Sequence, residues 1–336
     1  MDPPEKDKPR FWKLHKVDPT YWDEYNATRP VYDARIFDRV DEYQTTHSLS
    51  RQTALDIGTG SGSAIGPLIQ RFDHVVASDN DAVSLDFTRQ RFSEVAPERL
   101  SYTLSPGEEL LQHHAPSSFD LITCAETFPL MKTQIALRNI STLLRPGGTV
   151  AIWSYGPPFF IDGDIASACQ PMLDAIMDQN FRPVVSGGGK SRKKSWKRAT
   201  DGEFSWLDYI PFPEEQWQDV RRHKWNTGAR LSFFTREACD FPVEPISRVG
   251  KQDKVTEEQN PKFWQVSWHL ENLRSFVKAS FPKPSEVAGP DDKMDKMFGQ
   301  LADAMGGSDV TVKLSWPAVL ILASKNLWIF PSPAGT

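Results

Sequence analysis

Cysteine is scarce. Cys124, Cys169 and Cys239 are the only three in 336 residues, widely separated and without a CxxC pair or a histidine cluster beside them, which excludes a disulfide framework and a thiolate zinc site. No apolar stretch approaches the ~20 residues needed to span a bilayer, and the N-terminal MDPPEKDKPR is too polar for a signal peptide. An excess of positive charge is missing as well: 39 Lys and Arg stand against 44 Asp and Glu, a net charge of -5. Without a basic field, nucleic acid is a poor partner. These gaps leave the expectation of a cytoplasmic protein with no membrane span and no bound metal; the sequence does not give its oligomeric state, and a monomer is the default.

Proline and tryptophan, at 26 and 11, are plentiful. Residues 1–20 form a proline-rich leader. Tyr21, Trp22, Tyr25, Tyr32, Ile36, Phe37, Val40 and Tyr43 then recur at helical spacing, broken at Arg29-Pro30, so two short N-terminal helices are expected within residues 1–50. From residue 53 the pattern alternates. Strands are expected at 53–57, 74–78, 100–104, 119–125 and 149–155, with helices at 63–72, 82–95 and 135–144 between them. Such alternation implies a parallel sheet covered on both faces by right-handed crossovers: an α/β, doubly wound, Rossmann-like core over residues 51–156.

The rhythm fails beyond Tyr155. Residues 182–203, with Gly187-Gly-Gly189 and the basic run 190–198, read as a solvated loop; 165–179, 214–225 and 262–280 read as helices. Residues 157–305 are thus expected to be an aromatic-rich cap inserted before the last strands, in 306–330, with the tryptophans at 196, 206, 217, 225, 264 and 268 in its core. Val310–Trp316 and Ala318–Leu322 flank Pro317. One of them should close the sheet, at an edge or a bulge.

The strongest local signal is Leu55-Asp-Ile-Gly-Thr-Gly-Ser-Gly62 between a strand and a helix. Glycines 58, 60 and 62 let the backbone turn tightly and approach a ligand, and the helix that follows aims its free N–H groups at the same place. Asp79 ends the next strand, where a carboxylate can accept from both ribose hydroxyls, with Asn80 beside it. The dinucleotide fingerprint GxGxxG would need glycine at Ser63. Asp56, moreover, suits a cationic amine better than a pyrophosphate. A cofactor with a ribose and a positive charge fits, and S-adenosylmethionine has both an amine and a sulfonium.

These segments resemble the class I S-adenosylmethionine-dependent methyltransferases. Asp56 to Gly62 matches their first motif, Asp79 the acidic end of the second strand, Gly107-Glu-Glu-Leu110 the adenine-side segment, Phe119 to Glu126 the fourth-strand motif and Leu144-Arg-Pro-Gly-Gly148 the turn before the fifth strand. Arg29-Pro-Val-Tyr32 and Ala151-Ile-Trp-Ser-Tyr155 further resemble fungal enzymes similar to trans-aconitate methyltransferase, which work in secondary metabolism. The resemblance implies that Gly58, Thr59, Gly60 and Gly62 face the methionine moiety and that Asp79 holds the ribose. It places Gly107 and a carboxylate of Glu108 or Glu109 beside the adenine, and Cys124 and Ala125 near the methyl group. Tyr25 and Arg29 would close over the cofactor or staple a helix to the sheet. Two positions depart from the family: Pro106 stands where relatives carry an acidic residue, and Pro129 and Leu130 stand where a His-Trp pair is common.

The expected activity is methyl transfer to a small-molecule carboxylate, hydroxyl or amine. The donor is already activated, and neither a GxSxG nor a Cys-His arrangement is present. A carboxylate would attack as it stands; a hydroxyl or amine needs a base, for which Glu126, Tyr155 and the histidines are the candidates. A methyltransferase-like regulator without catalysis and a dehydrogenase are the competing readings.

Overall fold

The computed structural model of the protein describes residues 19–185, 190–280 and 292–327. The expectations for the leader, the 187–189 glycine run, residues 328–330, Trp12 and Trp328 lie outside them. Helix α1 (Pro19–Thr28) and helix α2 (Ala34–His47) part at Arg29-Pro30, as the restricted backbone before proline requires. Asp33 caps α2, its carboxylate accepting from Arg35 N at 3.0 Å and from Trp264 N at 3.0 Å. The charge-assisted bonds from Arg35 hold that carboxyl below its ordinary range, against the opposing effect of burial.

The alternation then appears as β1 (Thr53–Ile57), α3 (Ile65–Ile69), β2 (His74–Asp79), α4 (Ala82–Arg91), β3 (Leu100–Leu104), β4 (Phe119–Ala125), α5 (Thr133–Leu143) and β5 (Leu144–Tyr155). The five strands lie parallel in the order β3-β2-β1-β4-β5. Every residue of β4 is buried, as expected of a central strand covered on both faces. Arg145-Pro-Gly-Gly148 is drawn into β5 instead of preceding it. The register against β4 shifts between Phe119 and Leu121 to accommodate it, and Gly147 takes a φ of +76°.

The remaining elements are β6 (Phe159–Phe160), α6 (Gly163–Val185), α7 (Lys190–Phe204), β7 (Trp217–Trp225), β8 (Lys254–Glu258), β9 (Val266–Trp268), α8 (Leu270–Ser280), α9 (Asp292–Met305), β10 (Val312–Ser315) and β11 (Ala318–Lys325). They correct several expectations. The basic run lies in a helix, α7, not in a loop. Its Trp196, Ala199 and Thr200 are buried on one face, while Lys193 reaches Asp240 and Lys197 reaches Asp201 and Glu244. Residues 214–225 are largely a strand. The strand period was hidden because the inward positions of β7 hold Arg222 and Lys224, which are buried and paired with Asp253 and Asp208 at 2.8 Å each. In the last expected helix, residues 266–268 are instead a strand and α8 starts only at Leu270.

Beyond β5 the sheet continues as β11-β7-β8, eight strands in all among the described residues, with β11 antiparallel to both β5 and β7. Pro317 is therefore neither at a sheet edge nor in a bulge. It turns the chain out of the small antiparallel sheet β6-β10-β9 and into β11, and its carbonyl accepts from Gly156 N at 3.0 Å. The tryptophan surplus is mostly core: Trp153, Trp196, Trp217, Trp225, Trp264 and Trp316 are all buried, whereas Trp206 and Trp268 are half-buried.

Candidate active site

Residues on the carboxyl edge of the five parallel strands come together from almost every segment singled out in the sequence. The chain leaves β1 through Gly58, Gly60 and Gly62, with φ of +71°, +54° and +78°, the left-handed region that favours glycine. Their roles differ. A Cβ on Gly58 would lie 2.4 Å from Thr127 Cγ2 and one on Gly62 would lie 2.8 Å from Phe92, whereas one on Gly60 would meet nothing within 4 Å. Gly58 and Gly62 pack the loop onto the protein; Gly60 faces open space.

The loop is tied to β2. Gly58 N and Thr59 N donate to Ser78 O at 2.7 and 2.9 Å, and Gly60 N donates to Asp79 Oδ2 at 2.9 Å. Asp79 Oδ1 accepts from Asp81 N at 2.9 Å, and Asp81 in turn caps α4. Burial raises the Asp79 carboxyl above its ordinary value despite these bonds. The Asn80 amide bonds the same carboxylate, so of its about four acceptor sites one remains for a ligand. Asn80 is half-buried beside it. Asp56 is buried next to the loop and accepts from Thr123 Oγ1 at 2.6 Å; burial pushes its carboxyl up to about 6. Thr59 is buried as well.

On the other flank, a Cβ at Gly107 would collide with Met131 Sδ at 2.5 Å, so the segment after β3 lies against the end of β1. Glu108 points elsewhere than the sequence suggested: its Oε1 accepts from Lys132 N at 2.8 Å, where α5 begins. Glu109 is exposed. Leu104, the register partner of Asp79, is a large apolar side chain left 55 % exposed, and no pattern marked it in advance. His114 is half-buried against Phe119.

Cys124 is fully buried and Ala125 nearly so. Glu126 follows them at a φ of +61°, a conformation that costs roughly 1–3 kcal/mol in a non-glycine residue and clusters at functional sites. Its N–H donates to Trp153 O at 2.9 Å, and its Oε1 accepts from Tyr155 N at 2.5 Å. Burial pushes the Glu126 carboxyl up to about 8, with Arg29 opposing and Glu203 adding to the rise. Arg29 Nη1 donates to Tyr155 Oη at 2.8 Å and Nη2 to Ser280 O at 3.0 Å. Its guanidinium lies 4.8 Å from the Tyr25 ring centre and 5.4 Å from that of Phe233. Beyond Tyr155, Tyr32 meets both Tyr155 and Trp264 edge to face, and the Tyr155 and Trp264 rings are tilted against each other.

A methyltransferase-domain family matches residues 54–148. Across nearly the whole chain the protein is 36% identical to methyltransferase pgmE of Aspergillus terreus, covering 95% of this chain and 97% of that one. It is 33% identical to methyltransferase ptaI of Pestalotiopsis fici, covering 91% and 93%. A solved structure from Anaeromyxobacter dehalogenans, provisionally assigned as a type II methyltransferase, shares the fold at a TM-score of 0.53 with 16% identity, covering 88% of this chain and 97% of that one. The chain belongs to the class I S-adenosylmethionine-dependent methyltransferases.

The methyltransferase takes S-adenosylmethionine as donor and a small molecule as acceptor. No helix among its described residues is long and apolar enough to cross a membrane. Sequence reasoning missed one acidic group of this enzyme entirely. Glu203, at the end of α7, has its Oε2 shut off from water without a hydrogen-bond partner, and burial pushes its carboxyl up to about 7. Its only trace in the sequence is an acid following a basic run, which reads as an ordinary helix surface.

Proposed function

We propose that the donor lies along the carboxyl edge of β1 and β2 and that the acceptor enters the aromatic chamber between Arg29 and α7. The open space at Gly60 carries this reading, since a glycine with left-handed φ and nothing opposite it is a cradle that any side chain would fill. When bound, S-adenosylmethionine supplies a methyl group activated by its sulfonium. Asp56, Thr59 and the loop would hold the methionine end, where a cationic amine would draw the Asp56 carboxyl back down into its ionised form. Asp79, with Asn80, has the acceptor capacity for the ribose hydroxyls. The backbone at Gly107 and the exposed Leu104 would flank the base. This assigns the adenine side to an apolar contact and main-chain groups, with neither Glu108 nor Glu109 needed.

Cys124 and Ala125 bring β4 to the methyl end, and Glu126 and Tyr155 border the acceptor. Tyr25 and Arg29 form its roof, tied to α8 through Ser280. The chain contributes position more than chemistry: holding two reactants in line is worth roughly 7–11 kcal/mol. The net charge of -5 supports a small-molecule partner over nucleic acid.

Calorimetric titration with S-adenosylmethionine tests the reading. The wild type should bind. Gly60→Ala should lower affinity at least tenfold while costing only about 1–2 kcal/mol of stability for the left-handed alanine. Gly66→Ala, whose Cβ also meets nothing within 4 Å but which lies in a helix, should bind as wild type. Absence of binding to the wild type, or equal affinity in the Gly60 variant, overturns the placement.

A further inference from the structure

Resting on that placement, we propose that Glu203 accepts the proton of the methyl acceptor and that the acceptor is an aromatic hydroxyl compound, not a carboxylate. Three observations converge. The first is position. Helix α7 packs onto the turn Phe128–Leu130 that follows Glu126, and Arg198 Nη2 donates to Leu130 O at 2.9 Å. Gly202 is wedged against the Tyr209 ring, where a Cβ would lie 2.7 Å from the nearest ring carbon. The helix end is thereby fixed, and Glu203 is brought within electrostatic reach of Glu126.

The second is unmet hydrogen bonding. Glu126 already receives the Tyr155 amide, whereas the Glu203 carboxyl has the Ser232 hydroxyl as its one side-chain partner and its Oε2 is buried without a hydrogen bond. An unsatisfied buried oxygen is costly, and a ligand O–H would satisfy it. The third is charge. Glu126 faces Glu203 from the end of β4, Arg29 faces the pair from the α1–α2 connection, and Asp201 lies on α7 itself. Tyr209, from the turn after α7, and Cys239, from the loop beyond β7, both sense Glu203. Arg29 and, on α7, Arg198 offset these acids, so the choice falls on hydrogen bonding: an ionised carboxylate acceptor brings Glu203 Oε2 no donor, whereas a neutral hydroxyl does. The Arg29 guanidinium already stands over the rings of Tyr25, Tyr155 and Phe233, an aromatic surround of the kind that suits a flat acceptor.

The step balances. The acceptor oxygen forms a bond to the methyl carbon, the carbon–sulfur bond breaks and leaves a neutral thioether, and the hydroxyl proton passes to the Glu203 carboxylate. A base poised near neutrality suits a weakly acidic aromatic hydroxyl at physiological pH.

The test uses 2-naphthol and 2-naphthoate, matched in shape, titrated against the full chain saturated with S-adenosylhomocysteine and read by tryptophan fluorescence at pH 8. 2-Naphthol should bind at least tenfold tighter, and Glu203→Gln should shrink that preference to threefold or less while S-adenosylmethionine affinity stays at the wild-type value. With S-adenosylmethionine, Glu203→Gln should lower kcat for 2-naphthol about a hundredfold at pH 7, with KM within threefold, and the loss should shrink as pH approaches the ionisation of the naphthol itself. Tighter or equal naphthoate binding, an unchanged preference in the variant, no recovery at high pH, or no binding or methylation of 2-naphthol overturns the proposal. Loss of S-adenosylmethionine binding in the wild type would instead overturn the placement on which it rests.

Discussion

Residues 53–155 and residues 157–305 are held together by different physics. In the first region the strands are largely apolar, and the site is built from backbone: left-handed glycines, strand-end amides, and a carboxylate held by the N–H groups of Gly60, Asn80 and Asp81. In the second, the strand that joins the sheet buries an arginine and a lysine. Arg222 is fully buried, bonds to Asp253, donates to Leu207 O at 3.3 Å and Ile210 O at 2.8 Å, and stands over the Phe212 ring. Trp206 and Leu207, held by this network, both have left-handed φ. The comparison teaches that a ligand cradle is written in residue types that have no substitute. A scaffold that positions side chains can instead be pinned by buried charge pairs, whose residues look like surface.

Three variants sharpen the contrast, beginning with the largest effect. Asp253→Ala removes the short partner of buried Arg222 and leaves it only Asp208, at 3.9 Å, which should cost about 3–5 kcal/mol in denaturant unfolding. A loss below about 1 kcal/mol would show that buried charge does not hold the second region. Asp79→Ala belongs to the first region and should weaken S-adenosylmethionine binding tenfold or more, because a buried carboxylate bonded to hydroxyls is lost; an unchanged Kd would mean that the ribose lies elsewhere. Glu126→Gln probes the seam. The folded carboxyl titrates near 8, above the model-peptide value of 4.5, so the folded state holds this proton more tightly than the unfolded chain. Its stabilising effect is complete below about 4.5 and is lost as pH rises through 8. The wild type should therefore lose more stability than Glu126→Gln between pH 5 and 8, up to roughly 3 kcal/mol for the whole shift, seen as a Tm difference of a few degrees. Parallel pH curves would remove Glu126 from the titration.

Legibility in the sequence followed the same divide. β1, β2, β4 and β5 could be placed because both of their faces are largely apolar and buried, β3 by its place in the alternation, and the glycine loop because only glycine tolerates its backbone. The adenine-side carboxylates were read from the family pattern. The structure sends Glu108 to the start of α5, where a side chain two bonds longer than serine can reach an amide. β7 was mistaken for a helix because Arg222 and Lys224 occupy inward positions that pattern reading expects to be apolar. α7 was mistaken for a loop because its basic residues dominate its composition, although Trp196, Ala199 and Thr200 recur at helical spacing. Glu203 had no readable signal, since its meaning depends on Glu126, which is distant in the chain and is met only through packing.

The placement of β11 has a consequence for how the molecule is made. Because this strand lies between β5 and β7, the two parts of the sheet have no direct pairing with each other, and the segment that joins them is synthesised after both. On a ribosome, the first five strands can assemble as they emerge, while β7 and β8 must wait beside an open edge for their neighbour. A stop codon shortly before residue 318 would thus do more than trim a terminus. It would leave two unpaired sheet edges facing each other, a nascent chain complete in its donor motifs and unable to close.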